Sequence, residues 1–141
     1  MSIQVSRKCD YALKAMIKIA GLKEGDLYTA KSISKSERIP LKFLEKILQA
    51  LVGHSLLRVT YGPRGGYRLA KAAESITFRH VMEAVEGPLR LNLCVGDHPE
   101  CKGEECAVKP QWAKLQEEVI KIFENTTLAD SVRPLVKARG G

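Results

Sequence analysis

Between residues 94 and 106 the chain reads CVGDHPECKGEEC, placing three of its four cysteines and four carboxylates within thirteen residues. Thiolates crowded this closely repel one another, by about 1 kcal/mol at ~4 Å even in a wet site. A positive centre among them removes that cost, and thiolates are preferred ligands of both iron–sulfur clusters and zinc. Zinc knuckles commonly hold their cysteines two to four residues apart, whereas the gaps here are six and four. That spacing points to an iron–sulfur cluster held by Cys94, Cys101 and Cys106. Zinc, a thiol or disulfide switch, and inert cysteines are the alternatives. Gly96 and Gly103 allow backbone amides to turn toward sulfides. His98, Glu104 and Glu105 are further candidate ligands, although a solvated acidic loop is the favoured account of them. The spacing leaves two-iron and four-iron clusters equally open.

The loop is not needed to rescue a small core. A chain of 141 residues buries roughly two-thirds of its unfolded surface on folding, enough for one domain with an appendage. No run approaches the ~18 apolar residues of a membrane span. The N-terminus lacks a basic-then-apolar export pattern, so a cytoplasmic location is expected. Thiols stay reduced there, which favours metal or redox chemistry over structural disulfides.

Charge is unevenly distributed. Residues 1–91 carry 16 Lys and Arg against 8 Asp and Glu, a net +8, while residues 92–141 carry 7 against 8. A basic first part beside a near-neutral tail is the footprint of a polyanion-binding surface.

The elements that would position these groups follow from periodicity and caps. Ser6 caps a helix through RKCDYALKAMIKIAGL, whose Leu13, Met16, Ile17 and Ala20 share a stripe and which Gly25 breaks. Thr29 caps a short helix, AKSISKS, with Ile33 inward. Pro40 suits the first position of a third helix over residues 40–52. There Leu41, Leu44, Ile47, Leu48 and Leu51 form one stripe, Lys42, Glu45, Lys46 and Gln49 lie away from it, and Gly53 ends the helix. The period then changes. LRVTY and YRL alternate on either side of GPRGG, a hairpin with a glycine-rich tip. Thr77 caps FRHVMEAV, which Gly87-Pro88 closes. Pro110 starts a longer helix in which Trp112, Leu115, Val119, Ile122 and Phe123 recur at threes and fours. One more turn is expected from Thr127.

Helix, turn, helix, then a slim basic hairpin describe a winged helix-turn-helix. The major groove of DNA admits one helix, provided that its apolar side sits on the domain and its polar side is free for base edges. Helix 40–52 divides in that way. Arg64, at the hairpin tip, would meet phosphate or a narrow minor groove. The expected fold is therefore mostly α with a small β wing, a winged helix-turn-helix followed by a long C-terminal helix. An enzyme is not expected. There is no Ser/His/Asp set and no phosphate-binding glycine loop, and His54, His80 and His98 lack evident catalytic partners.

The stretches IPLKFLEKILQAL, GPRGGYRLAKAAESITFRHVMEAVEG and TLADSV, together with the three-cysteine loop, resemble the bacterial Rrf-type winged helix-turn-helix transcriptional regulators over about residues 1–135. That family includes iron–sulfur, nitric-oxide-sensing and cysteine-metabolism regulators. The resemblance implies a homodimer in which the C-terminal helices cross, so that two subunits read a palindromic operator. The length of the stripe from Trp112 to Phe123 fits such a partner independently. The implied division is a DNA-binding domain over residues 1–87, a cluster-binding loop over 88–108, and a dimerisation helix with tail over 109–141. The candidate DNA-binding residues are Thr29, Lys31, Pro40, Lys42, Glu45, Lys46, Tyr61, Arg64 and Tyr67. Glu45 could accept from a cytosine amino group, and pairing with Lys42 or Lys46 is its plainer role. Tyr61 stands where the iron–sulfur regulator carries a basic wing residue.

Two departures bear on the loop. Relatives space the cysteines five and five, against six and four here. The iron–sulfur regulator also has a histidine three residues after the last cysteine, where this chain has Lys109, and an ammonium cannot ligate. The nitric-oxide sensor instead uses an aspartate of its first helix, reaching across the dimer, and Asp10 matches that position. Asp10 is thus the expected fourth ligand. Neighbouring Cys9 points about 100° away on a helix and reads as a small core residue. The expected function is a DNA-binding transcriptional regulator, a repressor by expectation, that senses redox state, nitric oxide or iron through the cluster.

Overall fold

Ser6 begins the ordered architecture. Its hydroxyl accepts the Cys9 N–H at 3.2 Å and caps helix α1 (Arg7–Ala20). The computed structural model describes residues 1–23, 25–96, 99 and 106–132. Helix α1 stops at Ala20, before the predicted Leu22. The Gly21 N–H folds back onto the Ile17 and Lys18 carbonyls, both at 3.2 Å, and closes the helix four residues ahead of Gly25.

Thr29 caps α2 (Ala30–Glu37), which ends on Arg38 in the left-handed region at φ 56°. A short turn leads into α3 (Leu41–Gly53). Pro40 is extended at ψ 128°, so it precedes α3 as its cap residue and is not its first helical position. Strands β1 (Leu57–Thr60) and β2 (Gly66–Leu69) form the antiparallel hairpin, with Leu57 opposite Leu69 and Thr60 opposite Gly66. A 3-10 turn (Ala73–Ser75) precedes α4 (Phe78–Glu86). Helix α5 (Lys109–Asn125) follows the cysteine loop, with Pro110 in its first turn. Residues 128–132 are helical again.

One core joins these pieces. Met16 and Ile19 of α1, Ile33 of α2, Leu44, Ile47, Leu48 and Leu51 of α3, Val81 of α4 and Leu128 are all essentially inaccessible. Burying each such side chain contributes about 2 kcal/mol. Leu128 reaches this core through a clip remote in sequence. Thr77 and Thr127 form a bridge, the Phe78 N–H donates to the Thr126 carbonyl at 2.8 Å, and the Leu128 N–H donates to the Ile76 carbonyl at 3.0 Å. Arg79 reinforces the join, pairing with Glu83 on its own helix and with Glu124 on α5.

Candidate nucleic-acid interface and cysteine loop

With Leu44, Ile47, Leu48 and Leu51 fully buried, the opposite side of α3 presents Lys42, Glu45, Lys46 and Gln49 to solvent. The hydroxyl of Thr29 is committed to the fold, accepting the Ser32 N–H at 3.1 Å, while Lys31 and Pro40 are exposed.

The hairpin is slim where Gly65 and Gly66 leave no room for side chains. A Cβ at Gly65 would collide with the Thr60 carbonyl, and one at Gly66 would lie 2.7 Å from the carbonyl oxygen of Tyr28. Tyr28 therefore lies against the strand, exchanging hydrogen bonds with Tyr67 at 2.7 and 3.1 Å. Tyr61 and Arg64 project from the tip region, Tyr61 being 86% exposed. Burial pushes the Tyr67 phenol above its usual range, and the charges of Tyr61 and Glu45 add to the effect.

At the cysteine loop, Cys94 is buried and Cys106 exposed, both as free thiols. The Asn92 side-chain amide donates to the Cys94 sulfur at 3.8 Å. Cys94 lines a cleft of about 490 Å³ against α5, beside Gln116, Glu117 and Ile120. Cys101, His98, Glu104 and Glu105 lie outside the described residues, and among the described residues no three metal-ligating side chains converge. Asp10 is exposed and pairs with Lys14 at 2.9 Å, and it is not part of the lining of the Cys94 cleft in its own chain. Cys9 is 3% exposed with its sulfur toward the Met82 carbonyl, and burial pushes its thiol up, away from the thiolate that a metal requires. As a donor set, a lightly engaged thiol at Cys94 and an open one at Cys106 fit a thiophilic metal group.

Sequence reasoning overlooked Gln116. It is the one buried polar side chain among the described residues. Its amide nitrogen donates to the Leu89 carbonyl at 2.7 Å and its oxygen accepts the Leu91 N–H at 2.8 Å, fastening to α5 the segment that leads into Cys94. A signal was present, since Gln116 interrupts the apolar face of Trp112, Val119 and Phe123 at helical spacing. His54 and His80 are accounted for locally: His54 Nδ1 lies 2.9 Å from the Ala50 carbonyl, and His80 Nδ1 accepts the Thr77 N–H at 3.1 Å.

Two residues of the α5 stripe are left open among the described residues, while Trp112, Val119 and Phe123 are half-buried. Leu115 is 50% and Ile122 63% exposed. Trp112, Leu115, Val119 and Phe123 line a groove of about 630 Å³ together with residues 3–6 and Met82.

Three comparisons bear on this arrangement. The Rrf2 family, described as iron-dependent transcriptional regulators, matches residues 5–134. The HTH-type transcriptional regulator IscR of Erwinia tasmaniensis is 31% identical over 130 residues, 92% of this chain and 79% of that protein. Among solved structures, IscR of T. potens superposes with a TM-score of 0.80 at 24% identity, covering 98% of this chain and 92% of that one. CymR, the global cysteine regulator of B. subtilis, gives 0.78 at 24% identity, covering 94% and 98%.

Proposed function

Since the chain belongs to the Rrf2 family of DNA-binding transcriptional regulators, we propose that it is a homodimeric repressor whose DNA affinity is set by an iron–sulfur cluster in its cysteine loop. The carrying observation is the pairing of two prepared surfaces on one core: the polar side of α3 beside a glycine-built wing, and the free thiol of Cys94 in a cleft against α5 with the exposed thiol of Cys106 just before that helix. Lys42, Glu45 and Lys46 would face base edges and phosphates of a palindromic operator in the cytoplasm, with Thr29, Lys31 and Pro40 at the approach to the groove. Tyr61, Arg64 and Tyr67 would line the wing's side of that contact. The uncovered α5 stripe supports the dimer, because an amphipathic helix that leaves Leu115 and Ile122 in solvent calls for a second apolar surface.

Cys94, Cys101 and Cys106 would hold the cluster, and Asp10 of a second copy would complete it. A cluster, when bound, supplies a centre that oxygen, nitric oxide or iron shortage can damage. Asp10 suits an exchangeable position because its present partner is an exposed lysine, and exposed ion pairs are weak. Gln116 would then pass a change at the loop to α5. Such coupling is reciprocal, so operator DNA would in turn alter cluster stability.

A second reading keeps the DNA binding and makes the loop a zinc site or thiol switch. The exposure of Cys106 favours it, as does the likeness in fold to a regulator of cysteine metabolism. Anaerobic purification separates the two. A brown protein that loses its visible absorbance in Cys106→Ala supports the cluster, whereas a colourless protein, zinc-loaded or metal-free after reconstitution, supports the switch. Asp10→Ala should leave the oligomer intact while shortening the cluster's lifetime in air. An unchanged lifetime would assign the fourth ligand elsewhere.

A further inference from the structure

The hairpin register sets Arg58 directly opposite Arg68. Both are exposed, on the side of the strands away from the buried Leu57 and the half-buried Val59, Tyr67 and Leu69. Like charges facing each other across a strand pair destabilise it, and a hairpin of four-residue strands has little stability of its own to absorb the cost. The ion pairs seen on α1, α4 and α5 include neither arginine. Lys23, just past the end of α1, adds a third cation where Arg58 and Arg68 border a cleft of about 350 Å³, and Asp26 is the one acid among the described residues of its lining.

We propose that this outer side of the hairpin is a second phosphate-binding surface, occupied by the DNA backbone that flanks the segment faced by α3. The proposal rests on the DNA-binding reading and extends its footprint. Continuity argues for DNA as the occupant. Arg58 and Arg68 lie two residues below the Thr60–Gly66 end of the hairpin, about 7 Å along the strands, so a backbone met by Arg64 at the tip can continue onto them. Chemistry argues the same way. Guanidinium groups bind phosphate oxygens in a bidentate fashion and are weakly hydrated, which makes arginine the stronger choice for this task. A phosphate between the two arginines would also turn their mutual repulsion into shared attraction. Among the described residues the lining of this cleft holds no aromatic side chain, the usual anchor of a protein interface, to receive an acidic protein segment.

The test uses the full chain and mixed-sequence duplex DNA, titrated by fluorescence anisotropy over a range of salt concentrations. Arg58→Gln with Arg68→Gln should weaken binding and flatten the slope of log affinity against log salt by about 2 per protomer. Arg58→Lys with Arg68→Lys should keep most of the slope. The thermal midpoint of the glutamine variant should equal or exceed that of the parent, since the facing charges are gone. A folded glutamine variant with the parental slope overturns the proposal, and if it has also lost affinity for polyglutamate, the surface serves an acidic protein. If the parent chain itself shows no salt-dependent DNA binding, the DNA-binding reading falls along with this surface.

Discussion

Helices α3 and α5 are both amphipathic at helical spacing, yet among the described residues only α3 finds full cover for its stripe. Every stripe residue of α3 from Leu44 to Leu51 is sealed in the core, whereas α5 leaves Leu115 and Ile122 half or more in water and buries a glutamine. Periodicity states that a face wants cover and is silent about whether the same chain supplies it. The difference also separates their tasks. A helix locked on its apolar side can present a fixed polar side to a rigid groove, while a helix with an open apolar side is built to meet another surface.

The largest expected effect is on the closed side of this contrast. Leu44→Ala should lower the unfolding free energy by about 2–5 kcal/mol, read from urea denaturation, and shift DNA binding only through loss of folded protein. A cost under 1 kcal/mol would mean that α3 is more loosely seated than its burial states. Next, Leu115→Glu with Ile122→Glu should reduce the proposed dimer to a monomer by sedimentation while far-UV dichroism is retained. A variant that stays dimeric would move the seam away from α5. The smallest is Thr77→Ala, which removes the hydroxyl that accepts the His80 N–H at 3.1 Å and should cost about 1 kcal/mol. A neutral result would show that the backbone clip to Thr127 alone holds the start of α4.

The helices were legible because their signals are local. Ser6, Thr29 and Thr77 each stand one residue before an apolar period and each cap a helix in the structure. The wing was legible for a similar reason, as GPRGG can hardly be other than a tight tip between alternating strands. Boundaries were less so: Gly21 closes α1 before Gly25 can, and Pro40 precedes α3 where it was expected to open it. Long-range pairings were invisible. Nothing near Tyr28 announces its bridge to Tyr67, nor anything near Thr127 its bridge to Thr77. Of the candidate site, the thiols and the polar side of α3 were readable from residue type and spacing. The fastening of the loop by Gln116 was not read: its place on the apolar face of α5 marked it as unusual, but its two partners, more than twenty positions away, could not be read from that helix.

The strand-like clip at Thr126–Leu128 makes the segment after α5 something other than an ornament. Leu128, fully enclosed, is a keystone in the same packing that seats α1 and α3. Shortening the protein at Asn125, which on paper removes only a trailing end, would pull a plug from the middle of the DNA-facing half.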